Sequence, residues 1–251
     1  MRLGEPLEPR RDAPLARAHP LPKLAAAAVL MLALFVTVDV VTSAVVLAAL
    51  AAAFPLTGLP LRPFLGRIWP LVFAAFGIAL VNSLLGERGI AGGAAVAFRL
   101  LGIALAGVMA VATIDTTELA DALVQYLHAP PRFVLGALAA WRLAPLFGLE
   151  WRTIGLARRA RGIEAERTLF GRLADFPSRA FALLVGAIRR GTRLALALDG
   201  RGFGRRPCRT LARPRAIMLT DLAVLAGAIA VAAAATAASL ALGAWRPLLA
   251  I

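Results

Sequence analysis

Long apolar runs separated by short polar breaks organise this chain, and their lengths are those of membrane helices. Leu24 to Phe54 is interrupted only by Thr37, Asp39, Thr42 and Ser43. A single helix of that length would rise about 45 Å, more than a hydrocarbon core of about 30 Å, so the pattern predicts two short spans turning near Asp39. Further apolar runs cover Ile68 to Leu85, Ile90 to Ile114, and Ile217 to about Ala244. Gly86-Glu87-Arg88-Gly89 makes a short turn between the third and fourth spans, and Pro55 to Pro63, followed by Arg67, reads as a loop because proline ends helices. Residues 1–23 hold Arg2, Arg10, Arg11, Arg17, Lys23 and several prolines and read as an irregular arm, and the apolar stretch after them runs past signal-peptide length.

Between the fourth and last runs the period changes. Asp115-Thr116-Thr117-Glu118 supplies capping side chains, after which Leu119, Ala122, Leu123, Tyr126 and Leu127 recur at helical spacing up to Pro130-Pro131. Phe133 to Leu149 is apolar but short for a span and contains Arg142 and Pro145, which predicts a helix lying along or under the membrane face. Pro177 marks a helix start, and Phe181, Leu184, Val185, Ile188, Thr192 and Ala195 form one stripe, with Arg189, Arg190 and Arg193 off it. Three glycines between Gly200 and Gly204 end that helix.

The predicted fold is therefore all-α: a polytopic membrane protein with about five transmembrane helices and a block of amphipathic helices between the fourth and fifth. The expected organisation is an N-terminal arm (1–23), four transmembrane helices (24–114), cytoplasmic coupling helices (115–215), and a final transmembrane helix with tail (216–251).

Composition strengthens this picture. Sixty per cent of residues are hydrophobic and mean hydropathy is +0.79, which excludes an ordinary soluble domain. The 28 basic residues outnumber the 14 acidic ones, and Lys23 is the only lysine. Residues 150–215 carry much of the excess, and the positive-inside rule assigns them to the cytoplasm. With five spans, a cytoplasmic amino terminus then puts the carboxyl terminus outside.

Several chemistries are excluded. Cys208 is the only cysteine, and His19 and His128 the only histidines, so neither an internal disulfide nor a metal cluster is expected. Without a Gly-Lys-Ser/Thr element the chain cannot be the usual kind of ATPase, so any nucleotide energy must come from another subunit. The basic segment has few aromatics and no recognisable nucleic-acid-binding module. Arg99, inside the fourth span, either faces a partner helix or substrate path or snorkels to the interface. Asn82 and Ser83 are expected to hydrogen-bond between helices.

Two arginine triplets stand out in the basic segment, Ala160-Arg161-Gly162 and, 40 residues later, Gly200-Arg201-Gly202. With their flanks, Ala157-Arg158-Arg159 and Ala197-Leu198-Asp199, they resemble the paired Ala-Arg-Gly motifs of the transmembrane (T) component of energy-coupling factor transporters, the family that includes the T subunits of cobalt and biotin uptake systems. His19-Pro20-Leu21-Pro22-Lys23-Leu24 is similar to that family's lead into the first span, and Thr113-Ile114-Asp115-Thr116-Thr117-Glu118-Leu119 to its Thr-rich link after the fourth. The resemblance implies a non-catalytic subunit of an ATP-driven importer in the bacterial cell membrane. Its partners would be two cytoplasmic ABC-type ATPase subunits, which bind the ATP, and a membrane substrate-binding S component. Arg161 and Arg201 would dock on the ATPases, with Ala160, Gly162, Gly200 and Gly202 allowing close approach. This chain departs from the family at Gly200, where alanine is usual. The competing reading is a polytopic membrane enzyme acting on a lipid or prenyl phosphate held by Arg99 or the basic segment.

Overall fold

The computed structural model describes residues 12–86, 89–162, 169–203 and 214–245, and these hold helices and no strands. In chain order the helices are α1 (Pro14–Arg17), α2 (Pro20–Val36), α3 (Val40–Thr57), α4 (Leu61–Leu85), α5 (Gly89–Thr113), α6 (Thr116–Tyr126), α7 (Pro131–Ala160), α8 (Leu169–Gly200) and α9 (Leu219–Ala241). They divide into two compact units. One is formed within Met1–Ala122 and Arg215–Ile251, the other within Leu123–Pro214, and α6 runs across the boundary.

The first unit is a helix bundle. α5 packs against α2, α3 and α4, while α9 packs against α2 and α3. Leu34, Val46, Leu50, Ala106, Met109, Ala228 and Ala235 make its buried centre. α4 shows the opposite pattern: Trp69, Phe73, Phe76, Leu80 and Leu84, spaced at three and four residues, all face outward and exposed. An unbroken apolar stripe of that length has a favourable environment only in hydrocarbon. By length and hydropathy α3, α4, α5, α7 and α9 can each cross a membrane, and the chain is a multi-pass membrane protein. α2, at 17 residues, is one short apolar helix more.

The break near Asp39 is real. Asp39 caps α3, its Oδ2 accepting the Thr42 N–H at 2.8 Å, while Ser43 Oγ donates to the Asp39 carbonyl. α2 ends at Val36, and Arg99 of α5 donates to the Phe35 carbonyl at 2.6 Å with its guanidinium 5.5 Å from the Phe35 ring. That carbonyl is one of the four that a helix leaves unsatisfied at its carboxyl end, so the cation meets the negative end of α2. Arg99 is thus engaged with a neighbouring helix end.

At the opposite end of the bundle a polar knot joins five helices. Lys23 is buried and donates to the Ala16 carbonyl of α1 and the Thr113 carbonyl of α5, each at 3.0 Å. Asp221, also buried, accepts the His19 N–H at 2.8 Å and the Met218 N–H at 2.9 Å, and so holds the amino ends of α2 and α9. A cation thus meets carboxyl ends and an anion meets amino ends, as the helix dipole requires. Arg215 adds a 2.7 Å ion pair to Glu118 of α6 and a hydrogen bond to the Arg17 carbonyl. Burial, and then the Arg215 charge, hold the His19 imidazole below its ordinary pKa. It is therefore neutral at pH 7, and its Nδ1 accepts the Leu21 N–H.

Three expectations change. Residues 12–23, expected as part of an arm, fold into α1 and the start of α2, because Lys23 and His19 find buried partners; residues 1–11 lie outside the described set. The loop expected over Pro55 to Pro63 shrinks to Gly58–Pro60: Pro55 falls in the last turn of α3, where only one helical bond is forgone before the helix ends, and Pro63 in the first turn of α4, where a missing N–H costs little. Of the turn between α4 and α5, Glu87 and Arg88 lie outside the described residues. Asn82 does not bridge helices; its Nδ2 bonds back to the Ile78 carbonyl of its own helix at 2.9 Å.

Gly93 is what lets α4 and α5 close. A Cβ there would overlap Ser83 Oγ and the Ala79 carbonyl oxygen, and the latter is backbone that cannot rotate away. Gly93→Ala is expected to cost about 1–3 kcal/mol by overpacking, read as a lowered melting temperature of the detergent-solubilised chain. Gly77→Ala, where nothing stands within 4 Å of the new methyl, should leave it unchanged or raised.

Candidate functional site

The two arginine triplets occupy equivalent positions at the carboxyl ends of α7 and α8. Pro131 opens α7 at a position where its missing N–H is harmless, and the helix runs to Ala160. Arg161 is the cap, with φ −90° and ψ 3°, and Gly162 follows at φ +69°. The Gly162 N–H closes on the Arg159 carbonyl at 2.9 Å. At α8, Arg201 caps and Gly202 follows at φ +72°; the Gly202 N–H bonds the Asp199 carbonyl at 2.9 Å and the Phe203 N–H the Leu198 carbonyl at 3.0 Å. That pair of bonds is a Schellman closure, which requires a left-handed residue that glycine adopts without penalty. At α7 the corresponding outer bond belongs to Ile163, outside the described residues.

Each arginine is therefore held at a defined place, one residue before a left-handed glycine, where the helix ends and its carbonyls concentrate negative potential. Arg161 and Arg201 are exposed, as are Ala160, Gly162 and Gly200, while Gly202 is half-buried. Gly200 is not the cap: it is the last helical residue of α8, and a methyl there would meet nothing within 4 Å.

Two ion pairs, not foreseen from the sequence, fix how α7 and α8 cross. Asp175 of α8 is buried and bound by Arg158 of α7 at 2.8 Å and by Arg179 one turn along α8. Arg158 also donates to Ser178 Oγ at 2.9 Å. Further along, Arg190 NH2 donates to both Glu150 oxygens at 3.0 Å and its guanidinium lies 5.7 Å from the Phe147 ring. Residues late in α7 thus meet residues early in α8, and the helices run antiparallel. Arg161 lies beside the start of α8 and Arg201 at its far end, so about 25 residues at 1.5 Å each, on the order of 40 Å, separate them. The two arginines cannot share one small ligand.

Pro177, expected at a helix start, lies inside α8, which begins at Leu169. The buried Asp175 network holds the preceding turns in place. The stripe on α8 is present as expected, and Phe181, Leu184 and Ile188 on it are exposed. α7, expected to lie along or under the membrane face because 133–149 alone is short for a span, is instead a 30-residue helix long and apolar enough to cross a membrane, and it continues through a charged half to Ala160. Among the described residues no three His, Cys, Asp or Glu side chains are placed to hold a metal ion.

Fold and site together define a multi-pass, all-α membrane protein that carries matched arginine caps on a pair of crossed helices. Residues 12–210 match the family model CbiQ, cobalt transport protein, and the chain belongs to that family of membrane transport proteins. No individually curated protein matches it.

The caps make opposite predictions for neighbouring glycines. Gly202→Ala places a Cβ on a left-handed residue and should cost about 1 kcal/mol, whereas Gly200→Ala, in a helical position with open space, should stabilise by up to about 1 kcal/mol. Thermal unfolding of the two variants should move in opposite directions. Asp175→Asn leaves two arginines around a neutral group and should lower stability by more than either glycine change, by about 3 kcal/mol.

Proposed function

We propose that this chain is the non-catalytic coupling subunit of an ATP-driven, energy-coupling-factor-type importer of vitamins or transition-metal ions. One observation carries the reading: two exposed arginines, each one residue before a left-handed glycine at a helix end, too far apart for one ligand, on helices crossed through the ion pairs of Asp175 and Glu150. Paired, separated and equivalent cations match a partner present twice, and two ABC-type ATPase subunits supply that symmetry together with the nucleotide site this chain lacks. Each guanidinium would enter a groove on one ATPase and engage carboxylates or helix-end carbonyls with several donors, which a lysine does not reproduce.

The rest of the block supports this role. Phe181, Leu184 and Ile188 form an exposed apolar face suited to a membrane partner, the substrate-binding S component. Cargo recognition would fall to that component. ATP binding and hydrolysis would displace α7 and α8 through Arg161 and Arg201, and the Asp175 and Glu150 ion pairs would make the two helices move together. In this reading the chain sits in the bacterial cell membrane with its amino terminus, Arg161 and Arg201 on the cytoplasmic side and its carboxyl terminus outside. The lipid-enzyme alternative loses support because Arg99 is engaged by Phe35.

Replacing Arg161 and Arg201 together by glutamate should abolish co-purification of the ATPase pair and abolish uptake, with membrane insertion intact. Loss of an interfacial arginine typically costs about 2–5 kcal/mol, so each single variant should weaken recovery measurably. Wild-type ATPase recovery with the double variant would overturn the proposal.

A further inference from the structure

Inside the first unit, α2, α3, α5 and α9 line a partly open cavity of about 730 Å³, with α1 at one end. This is the volume of a small-molecule site and not of a packing defect. Its walls are apolar: Leu30 from α2, Leu50 from α3, Met109 from α5, and Val224 and Val231 from α9. Charge is confined to one end, where Arg17, Lys23, Asp12 and Asp221 line it. From Asp221 to Val231 the wall runs ten residues, about 15 Å deep at 1.5 Å per residue.

The polar groups of the lining differ in what they leave over. Both Asp221 oxygens accept backbone N–H groups, Thr57 and Thr113 hydroxyls donate to carbonyls of their own helices, and Asp12 faces Arg17 at 3.0 Å. The Lys23 ammonium has three donors, of which the Ala16 and Thr113 carbonyls take two. The cavity thus offers a deep apolar wall with its hydrogen-bonding donors at the mouth. A polar solute would find no partner along that wall. The fitting ligand has a long apolar body and an anionic head. The bilayer around the bundle contains such molecules at high concentration.

We propose that this cavity binds an anionic phospholipid, with acyl chain between α2, α3, α5 and α9 and phosphate beside Lys23 and Arg17. The lipid would complete the core of the bundle next to the knot that holds the ends of α1, α2, α5 and α9. This site is independent of the arginine caps.

The test uses the full chain in phosphatidylcholine vesicles containing a small fraction of a phospholipid with a photoactivatable acyl chain, as phosphatidylglycerol in one set and phosphatidylcholine in the other. After illumination, peptide mapping is expected to place adducts on Leu30, Leu50 and Val231, at about fivefold higher yield with phosphatidylglycerol, since a basic residue near the head group confers preference of that order. Gly227, on the cavity wall with nothing within 4 Å of an added Cβ, allows a filling variant: Gly227→Phe should lose these adducts while retaining labelling of the outer face of α4. Ala49→Phe, from the α3 wall, should do the same. Adducts confined to outward residues such as Phe73 and Phe76, or cavity adducts unchanged in both filling variants, would overturn the proposal. Equal labelling by the two head groups would overturn the role given to Lys23 and Arg17.

Discussion

Lys23 sits where the carboxyl ends of α1 and α5 meet, and the arrangement of the bundle depends on its charge. Burying an ammonium costs several kcal/mol unless donors are matched and the field is favourable. Here the field comes from helix ends, because unsatisfied carbonyls collect at the last turn of α5 and of the short α1. The same logic with opposite sign places Asp221 between the amino ends of α2 and α9. Arg99 repeats the cationic version at the end of α2. Helices in a membrane have no water to satisfy their ends, so charged side chains substitute for it, and they fix which helices are neighbours.

The arginine caps use this chemistry at exposed sites. Arg161 and Arg201 stand at helix ends whose backbone is closed by left-handed glycines, so each side chain leaves from a rigid origin. A partner groove can then meet a cation whose position is set in advance, which reduces the ordering cost of docking. The Asp175 and Glu150 ion pairs tie the two helices together at two points along their crossing. Gly200 does not disturb this: it is helical, and the conformational demand falls on Gly202.

How much was legible in the sequence depended on whether a signal was local. The apolar runs, the break at Asp39, the Asp115 cap on α6 and the stop after Gly200 are all local patterns, and each has its counterpart in the structure. Pro55, Pro63 and Pro177 misled because proline's effect depends on which turn of a helix it occupies, which a run of residues does not reveal. Asp175 and Glu150 were just two of five acids in an arginine-rich stretch, and their partners lie up to 40 residues away. The resemblance of the His19–Leu24 and Thr113–Leu119 segments to a known pattern carried no hint that Lys23 joins them. For the arginines, sequence indicated a helix end, while the shared cap geometry and the distance between the two required the fold.

The central claim is that each arginine engages a different copy of the ATPase, and site-specific photo-cross-linking tests it directly. A photoreactive amino acid placed at position 161, at position 201, or at both, should capture one, one and two ATPase subunits respectively, seen as discrete mass steps of the cross-linked product. Capture of a single shared subunit by the doubly substituted chain, or no capture at either position in an assembled and active transporter, would contradict the account.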